Sequence, residues 1–141
     1  MKQNQKGFTL IELLAVIVIL AIIALIATPI ILNVVNDSRR KAAQDGAYGA
    51  IEAVKLAYTQ AMTENQNFSG SGNIDFSDSD QKNWKIGGVT VKINGTTPTA
   101  GSININENGD ISFTKTNGDT DNLKINSFTC SLGNNTEVTC E

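Results

Sequence analysis

The sequence predicts an α+β chain: a long N-terminal helix, apolar in its first half and amphipathic in its second, packed on a small antiparallel β-sheet. Three observations predict it. An almost unbroken apolar run fills Phe8 to Leu32. Apolar residues then recur at three- and four-residue spacing as far as Ala61. Further on, short alternating runs end at Asn-Gly pairs. The 141 residues thus divide into a basic leader (1–7), an apolar helix (8–32), its amphipathic continuation (33–63) and a head (64–141).

The apolar run comes first. Between Phe8 and Leu32 only Thr9, Glu12 and Thr28 are polar or charged. About 25 residues of helix at 1.5 Å each reach about 37 Å, enough to cross a hydrocarbon core of about 30 Å. A buried helix of a soluble protein rarely stays apolar on every face for this length. A cleaved secretory signal has a shorter apolar region and small residues at its cut, and this run passes through Thr28-Pro29 to Asn33 without them. Lys2 and Lys6 precede the run, and Arg39, Arg40 and Lys41 follow it, so flanking charge leaves the orientation open. The later trio reads as a solvated face or as a contact to lipid headgroups.

Glu12 is the anomaly of this run. A charge inside an inserted helix costs about 2.5–3.5 kcal/mol at its centre and less near an end, so an acid there marks a functional candidate. The bland alternative is an interfacial Glu helped by the positive end of the helix dipole.

The string Lys6-Gly7-Phe8-Thr9-Leu10-Ile11-Glu12 resembles the processing motif of type IV prepilins and the related pseudopilins. The resemblance covers the basic leader, the glycine, the Phe after it, the Glu four residues on and the apolar helix. It implies cleavage between Gly7 and Phe8 by a prepilin peptidase on the cytoplasmic side, with N-methylation of the new Phe8 amine. It implies that Glu12 neutralises the Phe8 amine of a neighbouring subunit during assembly. Gly7, lacking a side chain, suits an extended backbone entering a protease cleft. The implied partners are the peptidase, the pilus assembly machinery, the membrane and further copies of the chain in a helical homopolymer. The implied location is the bacterial cell membrane as a single-pass prepilin, then an extracellular pilus supporting motility, adhesion or aggregation. The same motif opens pseudopilins of secretion or DNA-uptake machines, and a membrane-anchored sensor or binding module is the alternative of another class.

Pro29 lies late in the run. It removes a backbone donor and crowds the preceding turn, so a kink is expected, with Thr28 helping to satisfy the freed group. In the family the segment before this proline can unwind. Many members carry a glycine about two turns earlier, where this sequence has Ala21 and Ile22. The helix is expected to continue to about Met62, burying Ala43, Ala47, Ala50, Ile51, Val54, Ala57, Tyr58 and Ala61. Gly46 and Gly49 each weaken it by about 1 kcal/mol relative to Ala. They permit a bend or close packing, or are simply small residues facing the sheet.

In the head, residues 64–82 are rich in Ser, Gly, Asn and Asp and read as a connecting loop anchored by Phe68, Ile74 and Phe76. Strands are expected at Val89–Ile93, Ser102–Ile105, Asp110–Lys115 and Leu123–Phe128, with turns at Asn94-Gly95, Asn108-Gly109 and Asn117-Gly118. Three or four of them would form one sheet. Cys130 and Cys140 are an even pair. In an exported domain such a pair reads as a disulfide, and the resemblance implies a comparable C-terminal loop; two free thiols are the alternative.

Composition narrows the chemistry. The chain has no histidine and a net charge of −3, which removes the commonest general base and metal ligand. No basic stripe with interleaved aromatics points to nucleic acid. No nucleophile–base pair or phosphate loop stands out, so no enzyme and no cofactor are expected. Asp75, Asp78 and Asp80, and Asp119 and Asp121, are acidic clusters that read as solvated turns, with calcium binding as the alternative, although neither has the spacing of a twelve-residue calcium loop. Asn67, Asn94 and Asn134 open glycosylation sequons, which chance also supplies.

Overall fold

The computed structural model describes residues 7–114, 122–133 and 137–141. The chain divides into two compact units, the residues up to Ser38 and Arg39–Glu141. Residues 1–6 of the leader, Lys115, the Asn117-Gly118 turn, Asp119, Asp121 and the sequon at Asn134 lie outside the described residues.

One helix, α1 (Leu10–Glu64), runs through both units without interruption at Pro29. In the first unit its side chains face outward. An 18-residue window with mean hydropathy 3.2 has none of its residues buried. Pro29 leaves the Leu25 carbonyl without its usual donor. The Thr28 hydroxyl donates at 2.6 Å to Ala24, one residue before the carbonyl it was expected to serve. Such back-bonding tends to bend a helix.

The second unit is an α+β head. The C-terminal half of α1 buries Ala43, Gly46, Ala47, Ala50, Ile51, Val54, Ala57 and Ala61, matching the expected stripe except at Tyr58. That side chain is half-buried because its hydroxyl reaches out to the Glu107 carbonyl at 3.1 Å. The stripe is mostly alanine, so backbone comes close to it. A Cβ at Gly46 would stand 3.1 Å from the Thr96 carbonyl oxygen. Close approach to the 94–96 loop therefore explains this glycine.

Against α1 lie three small antiparallel sheets rather than one. The first has the order β1 (Gly72–Asp75), β4 (Ser102–Ile105), β5 (Ile111–Thr114). Its register aligns Ile74, Ile103 and Phe113 in one cross-strand row, and all three are buried. β1 sits inside the segment expected to be a loop. Its polar composition conceals a short alternation, with Ile74 and Phe76 both turned inward. The second sheet is the hairpin of β2 (Lys85–Ile86) and β3 (Val89–Thr90). The alternation expected over Val89–Ile93 is real in burial, since Val91 and Ile93 are both buried. The strand nevertheless stops at Thr90, because its partner is only two residues long. Val91 N–H adds one more bond, to the Trp84 carbonyl at 2.8 Å. Asn94-Gly95 therefore ends an irregular segment rather than turning a hairpin.

The third sheet has the order β6 (Asn122–Ile125), β7 (Phe128–Leu132), β8 (Val138–Cys140). The single strand expected from Leu123 to Phe128 is instead a hairpin. Asn126 takes φ 55°, a left-handed conformation that asparagine tolerates. Leu123, Cys130 and Cys140 form a second buried cross-strand row. The first and third sheets are joined where Lys124 N–H donates to the Ala100 carbonyl at 2.9 Å and Thr99 N–H to the Lys124 carbonyl at 2.8 Å. Gly101, at φ 90°, permits that junction: a Cβ there would lie 2.6 Å from the Asn122 carbonyl oxygen.

Cys130 and Cys140 are bonded, with Cα atoms 4.0 Å apart. β8 is an edge strand, and α1 closes that edge. Tyr48 Oη accepts from Val138 N–H at 2.9 Å, and Gln44 Nε2 donates to the Val138 carbonyl at 3.2 Å. Residues one helical turn apart thus take both outward main-chain groups of one strand residue.

Two stability measurements follow, by urea unfolding of the full chain in detergent. Replacing Cys130 and Cys140 together by serine is expected to cost about 2–3 kcal/mol, the loop-closure value for so short a ring. Tyr48→Phe, which orphans a partly buried N–H, is expected to cost about 1–3 kcal/mol; a change near zero would mean that water replaces the hydroxyl.

Candidate functional site at the helix start

The predicted processing residues fall where the helix begins. Gly7, Phe8 and Thr9 are outside any helix or strand, and α1 opens at Leu10. Gly7 has nothing within 4 Å of where a Cβ would stand. The Phe8 side chain is 87% exposed. The peptide between Gly7 and Phe8 is thus carried on accessible, non-helical backbone.

What stops the helix there is local. Thr9 N–H donates to Glu12 Oε2 at 2.8 Å, and the Thr9 hydroxyl donates to the same oxygen at 2.9 Å. In return Glu12 N–H donates to Thr9 Oγ1 at 3.3 Å. This is a reciprocal capping box, with Thr9 as N-cap and Glu12 three residues on. It satisfies two of the backbone donors that every helix start leaves open. A carboxylate in the first turn is also favoured by the helix dipole. Glu12 Oε1 makes no hydrogen bond among the described residues. Phe8, Glu12, Leu13, Ala15 and Val16 line one shallow apolar hollow beside this cap. The structure thereby brings Phe8 and Glu12 together within one chain. Pro29 stands further along the same helix, and the Cys130–Cys140 bond belongs to the other unit.

The acidic loop of the head is organised by its own main chain. Asp75 Oδ1 accepts from Ser77 N–H at 2.9 Å, Asp78 Oδ1 from Asp80 N–H at 2.9 Å, and Asp80 Oδ1 from Lys82 N–H at 3.0 Å. Asp78 Oδ2 also accepts from Asn83 Nδ2 at 2.7 Å. Among the described residues no group of three His, Cys, Asp or Glu side chains is placed to hold a metal. The Asp80 N–H, and after it the Asn83 amide, hold the Asp78 carboxyl below the usual carboxylate range.

With this geometry in place, comparison with known proteins finds a match over the N-terminal segment. Residues 2–28 match the prokaryotic N-terminal methylation motif, so the chain carries the signature of type IV prepilins. The long N-terminal helix and small antiparallel sheets are consistent with a pilin-like fold, and the motif supports the type IV pilin and pseudopilin family. No curated protein and no solved structure matches the chain.

Two expectations concern local order. Thr9→Ala removes the N-cap oxygen and is expected to cost about 0.5–2 kcal/mol, seen as faster hydrogen exchange at the Leu13 amide, whose acceptor is the Thr9 carbonyl. For Asp78, the depressed value means its contribution is fully present above the ordinary aspartate range of about 4. The contribution is lost as pH falls through the lower folded-state value. Asp78→Asn is expected to flatten this acid-side loss, followed by Trp84 fluorescence, since Trp84 Nε1–H donates to the Asp78 carbonyl.

Proposed function

We propose that this chain is a structural subunit of a type IV pilus. It is held in the bacterial membrane through residues 8–32, cut between Gly7 and Phe8 by a prepilin peptidase and methylated on the Phe8 amine. The pilus assembly machinery then adds it to a helical homopolymer outside the cell, where the filament serves motility, adhesion or aggregation. It acts as a building block rather than as an enzyme.

The observation that carries this reading is the methylation motif leading directly into an apolar segment whose side chains are unburied. Such a segment requires lipid or other apolar helices around it. Glu12 supplies a register. In the capped helix one carboxylate oxygen holds Thr9 while Oε1 meets no donor among the described residues, which leaves an acceptor for the amine of a neighbouring Phe8. A desolvated carboxylate is costly when unpaired and much less so when paired. Packing that places Glu12 against an amine is therefore favoured over slipped arrangements. The Cys130–Cys140 ring secures the end of the head during this cycle.

Mass spectrometry of protein sheared from the cell surface tests the reading: the mature chain is expected to begin at N-methyl-Phe8. Retention of residues 1–7 would sink it. A mature N-terminus without surface filaments labelled by an antibody to the head would shift the assignment to a pseudopilin. Glu12→Val is expected to be cut normally yet to lose filaments, and normal filament yield would count against the register role.

A further inference from the structure

The head carries the dipeptide Asn-Gly twice among the described residues, at Asn94-Gly95 and Asn108-Gly109, and the two stand in opposite states. We infer that Asn94 is a self-modifying site: its side-chain amide is converted spontaneously to a carboxylate in the folded protein, while Asn108 is protected.

The reaction needs a free main-chain nitrogen. The amide nitrogen of the following residue gives up its proton to solvent base and attacks Cγ of the asparagine. A C–N bond forms and the Cγ–Nδ2 bond breaks. Ammonia leaves, taking up a proton from water. Water then opens the cyclic imide at either carbonyl, giving aspartate or isoaspartate. No electrons are exchanged, and water is the sole co-reactant. Glycine favours the attack because no side chain shields its nitrogen. A hydrogen bond donated by that nitrogen opposes the attack, because the turn must first open.

At Asn108-Gly109 the nitrogen is engaged. Gly109 N–H donates to the Asn106 carbonyl at 2.9 Å. Asn106 Oδ1 also accepts from Asn108 N–H at 3.0 Å and Asp110 N–H at 2.8 Å. Tyr58 Oη holds the Glu107 carbonyl between them, and a Cβ at Gly109 would lie 3.8 Å from the Tyr58 ring. At Asn94-Gly95 none of this applies. Both residues are exposed. Among the described residues no acceptor holds the Gly95 N–H and no partner holds the Asn94 side chain. Nothing lies within 4 Å of where a Gly95 Cβ would stand, so water has access.

Conversion matters because of what flanks the site. Ile93 is buried, and the Thr96 carbonyl lies against Gly46 of α1. Isoaspartate adds one carbon to the main chain between these two fixed points. Either product adds one negative charge on the helix-facing loop. Each head would therefore record its own age as an acidic form.

The test is a time course on the full chain in detergent, held in mildly alkaline buffer and read by peptide mapping, with isoaspartate separated from aspartate. In the folded protein conversion at Asn94 is expected to be roughly tenfold or more faster than at Asn108, the order of protection given by a turn that must open before its bonded amide reacts. In urea the two sites are expected to react at similar rates. Equal rates in the folded protein, faster reaction at Asn108, or no conversion at Asn94 would overturn the inference. A preference for Asn94 that persists in urea would overturn its structural explanation.

Discussion

The controlling constraint is the uncovered apolar face of α1. Water penalises exposed hydrocarbon at about 25 cal/mol per Å², and along the first unit none of the described side chains is buried. The head faces a different condition. Its half of α1 is narrowed to an alanine stripe, so sheets and loops can approach the helix backbone closely. One helix therefore carries two different surfaces. The first is bulky and apolar all round, and the second is small on one side and polar on the other.

At the start of that helix a single acid serves two demands. Glu12 closes the capping box with Thr9, which ends the helix before the Gly7–Phe8 peptide. Only one of its carboxylate oxygens is needed for this. The geometry joins local helix chemistry to the proposed intersubunit pairing without moving the side chain to a new place.

Legibility followed the length scale of the interactions. The α1 segment was readable because about 50 residues of consistent patterning outweigh local noise. The β4–β5 hairpin was readable from Ser102–Ile105 and the Asn108-Gly109 turn. β1 was hidden because Gly72–Asp75 carries one inward apolar residue and otherwise looks like loop; only pairing with β4 makes it a strand. The turn at Asn126 is hard to read because Asn126-Ser127 is not an Asn-Gly pair, although Ser127 already breaks the alternation of Leu123 and Ile125 before Phe128. Val89–Ile93 shows the reverse failure, where correct alternation lacks a long enough partner. At the helix start, Thr9 three residues before Glu12 is itself a capping signal, legible in the sequence alongside the longer-range role that the motif implies for the same acid. The Gln44–Val138 and Tyr48–Val138 contacts, by contrast, join residues about 90 positions apart, and no local pattern announces them.

The clamp on β8 has a consequence for how this protein can diverge. Gln44 and Tyr48 recognise the N–H and carbonyl of residue 138, and the Cys130–Cys140 bond closes the ring through sulfur. Attachment at those points is indifferent to most side chains between the cysteines. Among the described ring residues Val138 is buried and Leu132 packs against the core, and proline at 138 would have no N–H to offer Tyr48; the exposed Gly133, Glu137 and Thr139 carry no such constraint. A surface built this way can change its chemical face from one lineage to the next without renegotiating the fold beneath it.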